Sequence, residues 1–229
     1  YQNKSRHFLQ LVNHKCQKVW PYPENQLRTL IAKWDYSLIY PYKFVRLCLQ
    51  GVYPAVRAAL GTGTLVIVAG TTNGYAAEEI LTSIGQAEGF DRKRFFRGIV
   101  LPPSRKIADA HRRQKEGAFP GDVVIASGTW QKGKTIYDAV DDLKAGDVIL
   151  KGANALDLSG RRAAILVGHP RAGTAGVAIQ AVIGRRVRLL IPVGLEKCIE
   201  GDLDAIAERV NDPRAQGPRF LLLPGQVFT

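Results

Sequence analysis

What this chain has little of narrows it first. Methionine is absent from all 229 residues, which chance rarely produces over such a length. Only three cysteines occur, Cys16, Cys48 and Cys198, widely spaced and odd in number. They make no disulfide framework, and no C-x-x-C spacing points to zinc. Reduced thiols in a cytoplasmic setting are the expectation, with no metal. No run approaches the roughly 20 apolar residues that a membrane span needs. The first residues are polar and basic and lack the apolar centre of a secretory signal. Neither G-x-G-x-x-G nor a P-loop Gly-Lys-Ser/Thr is found, and no cofactor is expected. Internal repeats and low-complexity tracts are missing too.

What is present fits a folded protein. Hydrophobic residues make up 46% of the chain, ample material for a packed core. The length suits one large domain, or one domain with an appended segment. The formal charge of +12 admits nucleic acid, an acidic ligand or simply a basic surface.

Residues 1–50 read as a helical, aromatic and basic lead-in. They hold Trp20, Trp34 and many tyrosines, with helices expected over 27–34 and 44–49. Residues 51–229 read as an α/β ligand-binding domain. Pro54 suits the first turn of a helix over 54–60, because its missing N–H would be unpaired there. The run Thr64 to Ala69 is continuously apolar after its first residue, as in a strand buried on both faces. A helix over 75–85 follows, with Ala76, Ile80, Leu81 and Ile84 on one face.

Further strands are expected over 98–101, 122–126, 147–150, 163–167 and 187–193. Helices are expected over 107–115, 135–143, 176–183 and 199–210, with an edge strand over 220–223 beside two prolines. Alternating strands and helices imply right-handed crossovers and a mostly parallel, Rossmann-like sheet with helices on both faces. Ligands of such sheets sit at the C-terminal ends of strands.

Four loops after strands carry candidate chemistry. Gly70-Thr71-Thr72-Asn73-Gly74 offers close backbone approach, two hydroxyls and a helix N-terminus for an anion. It could equally be a tight turn with an N-cap. Lys151-Gly152-Ala153-Asn154-Ala155-Leu156-Asp157 puts a cation, an amide and a carboxylate in one loop. Asp157 reads as a general base, or as a turn former with Ser159 and Gly160. In Gly168-His169-Pro170-Arg171-Ala172-Gly173-Thr174, the ring of His169 and the cation of Arg171 precede another helix N-terminus. The fourth loop runs from Pro192 to Lys197, where Glu196 and Lys197 also fit a solvated helix start.

The motifs around residues 55–200 resemble a known superfamily. The strand Thr64 to Ala69 with Gly70-Thr71-Thr72 is similar to the first strand and Gly-Thr-Thr loop in effector domains of sugar-responsive repressors. These belong with glucosamine-6-phosphate deaminase, ribose-5-phosphate isomerase and the CoA transferases. The strand Asp147 to Leu150, followed by Gly152-Ala153-Asn154, resembles that superfamily's strand and Gly-Ala-Asp/Asn loop. The resemblance implies an isomerase- or CoA-transferase-like fold, with Gly70, Thr71 and Thr72 holding a phosphate or similar anion. Asn154 stands where the isomerases carry the first acid of their pattern, while Asp157 matches the second. The isomerases' Lys-containing Gly-rich motif and the CoA-transferase glutamate have no clear counterpart.

The expected function is binding of a small anionic metabolite, phosphorylated sugar or CoA-like, with isomerase or transferase chemistry in view. Asp157 and Lys151 would be the catalytic pair. Gly70, Thr71, Thr72, Asn73, Gly74, Asn154, Arg171, Gly173 and Thr174 would bind the ligand. A non-catalytic sensing domain is one alternative. Nucleic-acid binding through Arg92-Lys93-Arg94, Arg97, Arg105, Lys106, Arg112, Arg113 and Lys115 is another, and a homodimer is expected of such a sheet.

Overall fold

The computed structural model describes residues 54–97, 119–194 and 197–224. The expected lead-in over 1–50, the strand over 98–101 and the basic helix over 107–115 lie outside these residues. The described part is a mixed α/β fold with a five-stranded and a three-stranded sheet.

The order begins with helix α1 (Pro54–Thr62) and strand β1 (Thr64–Ile67), followed by helix α2 (Thr71–Ser83). Strands β2 (Val123–Ala126) and β3 (Thr129–Trp130) precede the short helix α3 (Ile136–Ala139). Then come β4 (Val148–Leu150), β5 (Ala155–Asp157), β6 (Arg162–Val167) and helix α4 (Gly173–Arg185). Strand β7 (Arg188–Leu190), helix α5 (Leu203–Asn211) and strand β8 (Arg219–Pro224) complete it.

The larger sheet has the order β3-β2-β1-β4-β7. Its centre is parallel, with β1 beside β4 and β4 beside β7. The mostly parallel expectation needs correction at one edge, because β2 runs antiparallel to β1 and β3 antiparallel to β2. The last two form a hairpin missed in the sequence. Its loop is Ser127-Gly128, with φ of 45° and 77° at the two residues. Such paired positive φ values match the strand twist, and Gly128 adopts its value without strain.

The expected strand over 163–167 belongs to the second sheet, not the first. There β6 pairs antiparallel with both β5 and β8. Chain length is the physical reason. The four residues between β5 and β6 allow a hairpin, whereas a parallel crossover needs a dozen or more.

Alternation along the strands sorts the core into two faces. Leu65 and Ile67 of β1 pack with Val56 and Ala59 of α1 and with Ala76, Ala77, Ile80 and Leu81 of α2. Val66 and Val68 point the other way, onto Ile136 and Ala139 of α3 and Ala178 and Ala181 of α4. Helices therefore cover both faces of the larger sheet, and a run apolar at every position is what that burial requires.

Two buried carboxylates fasten opposite edges. Asp147 accepts hydrogen bonds from the Thr64 and Lys144 N–H groups where β1 begins, at 2.7 and 2.8 Å. Asp122 does the corresponding work where β1 ends. Among the described residues, no helix is long and apolar enough to cross a membrane.

Candidate functional site

The parallel strands β1, β4 and β7 end at one edge, and antiparallel β2 begins there. Asp122 stands at that start and is 1% exposed. One carboxylate oxygen accepts from the Ala69 N–H at 2.8 Å. The other accepts from the Ile136 N–H at 2.8 Å and from the Arg97 guanidinium at 2.6 Å. Burial raises the pKa of this carboxyl, against the pull of Arg97 and the two backbone N–H groups. Arg97 is held over the rings of Phe119 and Tyr137, at 4.9 and 5.6 Å from their centroids. Its Nε is buried and has no hydrogen-bond partner among the described residues.

Helix α2 starts at the same edge, earlier than the sequence pattern suggests. Thr71 to Gly74 form its first turn instead of a free loop. Gly70 is the N-cap and no side chain caps the turn. The first intrahelical bond is donated by the Gly74 N–H to the Gly70 carbonyl, at 2.8 Å. The N–H groups of Thr71, Thr72 and Asn73 therefore precede the helical ladder, as at every helix start.

Asn73 is fully buried and acts as a strut. Its amide donates to the Val68 carbonyl at 2.7 Å and the Leu150 carbonyl at 3.0 Å, joining the ends of β1 and β4. Its Oδ1 has no partner among the described residues. Gly74 serves packing, since a Cβ there would come within 2.8 Å of the Arg92 Cγ.

Lys197 closes the gap between loops. Its ammonium donates to the Ala153 carbonyl at 2.8 Å and lies 3.4 Å from the Thr72 hydroxyl. Ala153 in turn shares a buried apolar cluster with Ala175 in the first turn of α4, against which Ile191 and Val193 after β7 also pack. The loop after β4 and the starts of α2 and α4 thus meet. The α4 start is also uncapped, with Ala172 at φ 57° as N-cap. A Cβ on Gly173 would lie 3.6 Å from the His169 Cβ and 3.9 Å from the Tyr137 hydroxyl.

Lys151 follows β4 directly, and its N–H donates to the Leu190 carbonyl of β7 at 3.0 Å. Among the described residues its ammonium has no hydrogen-bond or ion-pair partner. Burial, followed by the nearby charges of Arg97 and Lys197, lowers its pKa from 10.5 to about 8, while Asp122 pulls the other way.

The remaining sequence candidates have local duties. Asp157 accepts from the Ser159 and Gly160 N–H groups, each at 2.9 Å, and so closes the β5–β6 turn. Asn154 accepts from the Leu166 N–H at 3.0 Å and donates its own N–H to Ala164, aligning β5 with β6. Arg171 is exposed, and its N–H donates to His169 Nδ1 at 3.1 Å. Of the basic stripe, Arg92 pairs with Glu78 at 3.0 Å and stacks on Tyr75. Arg105, Lys106, Arg112, Arg113 and Lys115 lie outside the described residues.

Sequence reasoning placed Thr72 and Lys151 at this edge. It read Arg97 as surface and passed over Asp122, whose signal was a lone acid at the head of an apolar strand. Among the described residues, no group of three or more His, Cys, Asp or Glu side chains could hold a metal ion. Comparison of the chain with protein-family models, with curated proteins and with solved structures gives no match.

Proposed function

We propose that the strand edge formed by β1, β4 and β7 binds a small anionic metabolite, of the phosphorylated-sugar or CoA-like kind. The observation that carries this reading is the charge balance there. Lys151 has two cations near it, Arg97 and Lys197, against one carboxylate, Asp122, whose oxygens already accept three hydrogen bonds. Burial first, and the neighbouring cations after it, lower the Lys151 pKa, so holding this charge is costly for the free protein. An anion would relieve that cost, and the uncapped first turn of α2 adds donors of the right polarity. The parallel centre of the sheet supports a Rossmann-like reading, with the ligand at the strand ends. The resemblance to phosphosugar isomerases and CoA transferases agrees with that placement.

The test is a thermal-shift screen with phosphosugars, nucleotides and CoA esters. The wild type is compared with Thr72→Val and Lys197→Gln. A ligand at about 100 times its Kd stabilises by about 2.7 kcal/mol, enough to raise Tm by several degrees in a domain of this size. Loss of one charged hydrogen bond costs about 1.5–3 kcal/mol, so Lys197→Gln weakens binding roughly 10- to 100-fold. A screen without hits, or hits that ignore both substitutions, refutes the reading. Salt-dependent affinity for nucleic acid in their place would move the function to the basic surface.

A further inference from the structure

We propose that Lys151 is a nucleophilic amine, and that the anion it meets carries a ketone or aldehyde with which it forms an imine. This rests on the anion-binding reading of the same edge and adds the chemistry of the bound compound. Position comes first. Lys151 leaves the end of the central parallel strand β4, between the ends of β1 and β7. Its backbone is fixed by the Leu190 carbonyl, and the preceding carbonyl, that of Leu150, is held by the Asn73 amide. The side chain is thus anchored at its root.

The neighbours divide the labour. Lys197 is tied to Ala153 and Thr72 beside the start of α2, where an anionic group would dock. Arg97 is tied to Asp122. Lys151 differs from both, because no described residue takes its ammonium. A partly buried lysine beside other cations is the arrangement that frees an amine for attack.

The charged groups facing it are Arg97, Lys197 and Asp122, and their balance with burial sets its pKa near 8. At pH 7 the neutral amine is then roughly 300-fold more abundant than at an ordinary lysine of pKa 10.5. The step balances without an oxidant or reductant. The neutral amine attacks the carbonyl carbon, a C–N bond forms, and the C=O π pair moves to oxygen. That oxygen takes a proton and leaves as water after a second one, giving a protonated imine. Overall an ammonium and a carbonyl yield an iminium and water.

The experiment uses pyridoxal 5′-phosphate, which carries both an aldehyde and a phosphate, on the full chain at pH 7. Borohydride reduction and peptide mapping then locate the labelled lysine. Pyridoxine 5′-phosphate, the alcohol, measures binding by calorimetry without imine chemistry. The expected result is label on Lys151 at about tenfold or more over any other lysine, in line with its larger neutral fraction. Inorganic phosphate suppresses the label, and labelling rises with pH to a midpoint near 8. Lys151→Arg removes the label. If the alcohol binds and phosphate competes, but label spreads over many lysines, the nucleophile assignment falls and the anion site stands. If neither compound binds saturably, both fall. The wild-type map is decisive even if the variant folds poorly.

Discussion

Replacing Lys151 by methionine should make the fold more stable at neutral pH. In the folded protein the lysine pKa falls from 10.5 to about 8. The unfolded chain therefore holds this proton more tightly, and between those pH values it binds more protons than the native state. Stability then rises with pH across that window, and the full penalty applies below it. The depression corresponds to about 3 kcal/mol. Methionine keeps the length and apolar stem without the charge, and no described hydrogen bond is lost. Since part of the side chain remains in contact with solvent, a gain of about 1–3 kcal/mol is expected at pH 7. Urea unfolding at pH 7 and near pH 10.5, with m-values compared, reads it directly. The gain should shrink to within about 0.5 kcal/mol at the higher pH. A variant less stable than wild type at pH 7, or a gain that ignores pH, would refute the account of a desolvated, crowded amine. A more stable but inactive variant is the pattern expected when a functional group is held against its own preference.

Other outcomes follow from the same edge. Asp122→Asn removes the counter-charge of Arg97 and keeps one acceptor oxygen, so an NH2 group must face either the Ala69 N–H or the Ile136 N–H with the Arg97 guanidinium. Breaking a buried pair of this kind should cost about 3–5 kcal/mol in urea melts, and a loss under about 1 kcal/mol would mean that Arg97 is held by its aromatic neighbours instead. Asn73→Ala removes the strut between β1 and β4 and should cost about 2 kcal/mol by thermal unfolding. Asn73→Asp should cost more, because a carboxylate would face two carbonyl oxygens; an aspartate variant as stable as the alanine one would overturn that geometry.

Local pattern was enough for much of the fold. A short run apolar at every position, rich in Val and Ile and bounded by glycines, such as Leu65 to Ala69, fits a strand covered on both sides. The spacing of Ala76, Ile80, Leu81 and Ile84 marked the helix that covers one of them. Pro54 did begin a helix, and the strand near 220–223 did lie at a sheet edge. Lys151 and Thr72 were legible as site candidates because each follows a strand. Direction was not legible. Whether β2 runs parallel or antiparallel to β1 depends on the path of the chain between them, and periodicity is the same either way.

Partnership was equally hidden. Asp157 and Asn154 carry suitable groups for chemistry, yet the hairpin takes their oxygens for its own N–H groups. Asp122 and Arg97 are 25 residues apart, and Lys197 and Thr72 are 125 apart. A sequence fixes which side chains can ionise, and how apolar stretches must be buried. Which charges end side by side, and therefore which lysine loses its hold on a proton, is decided only when the strands align, because burial and Coulomb interaction depend on distance in space.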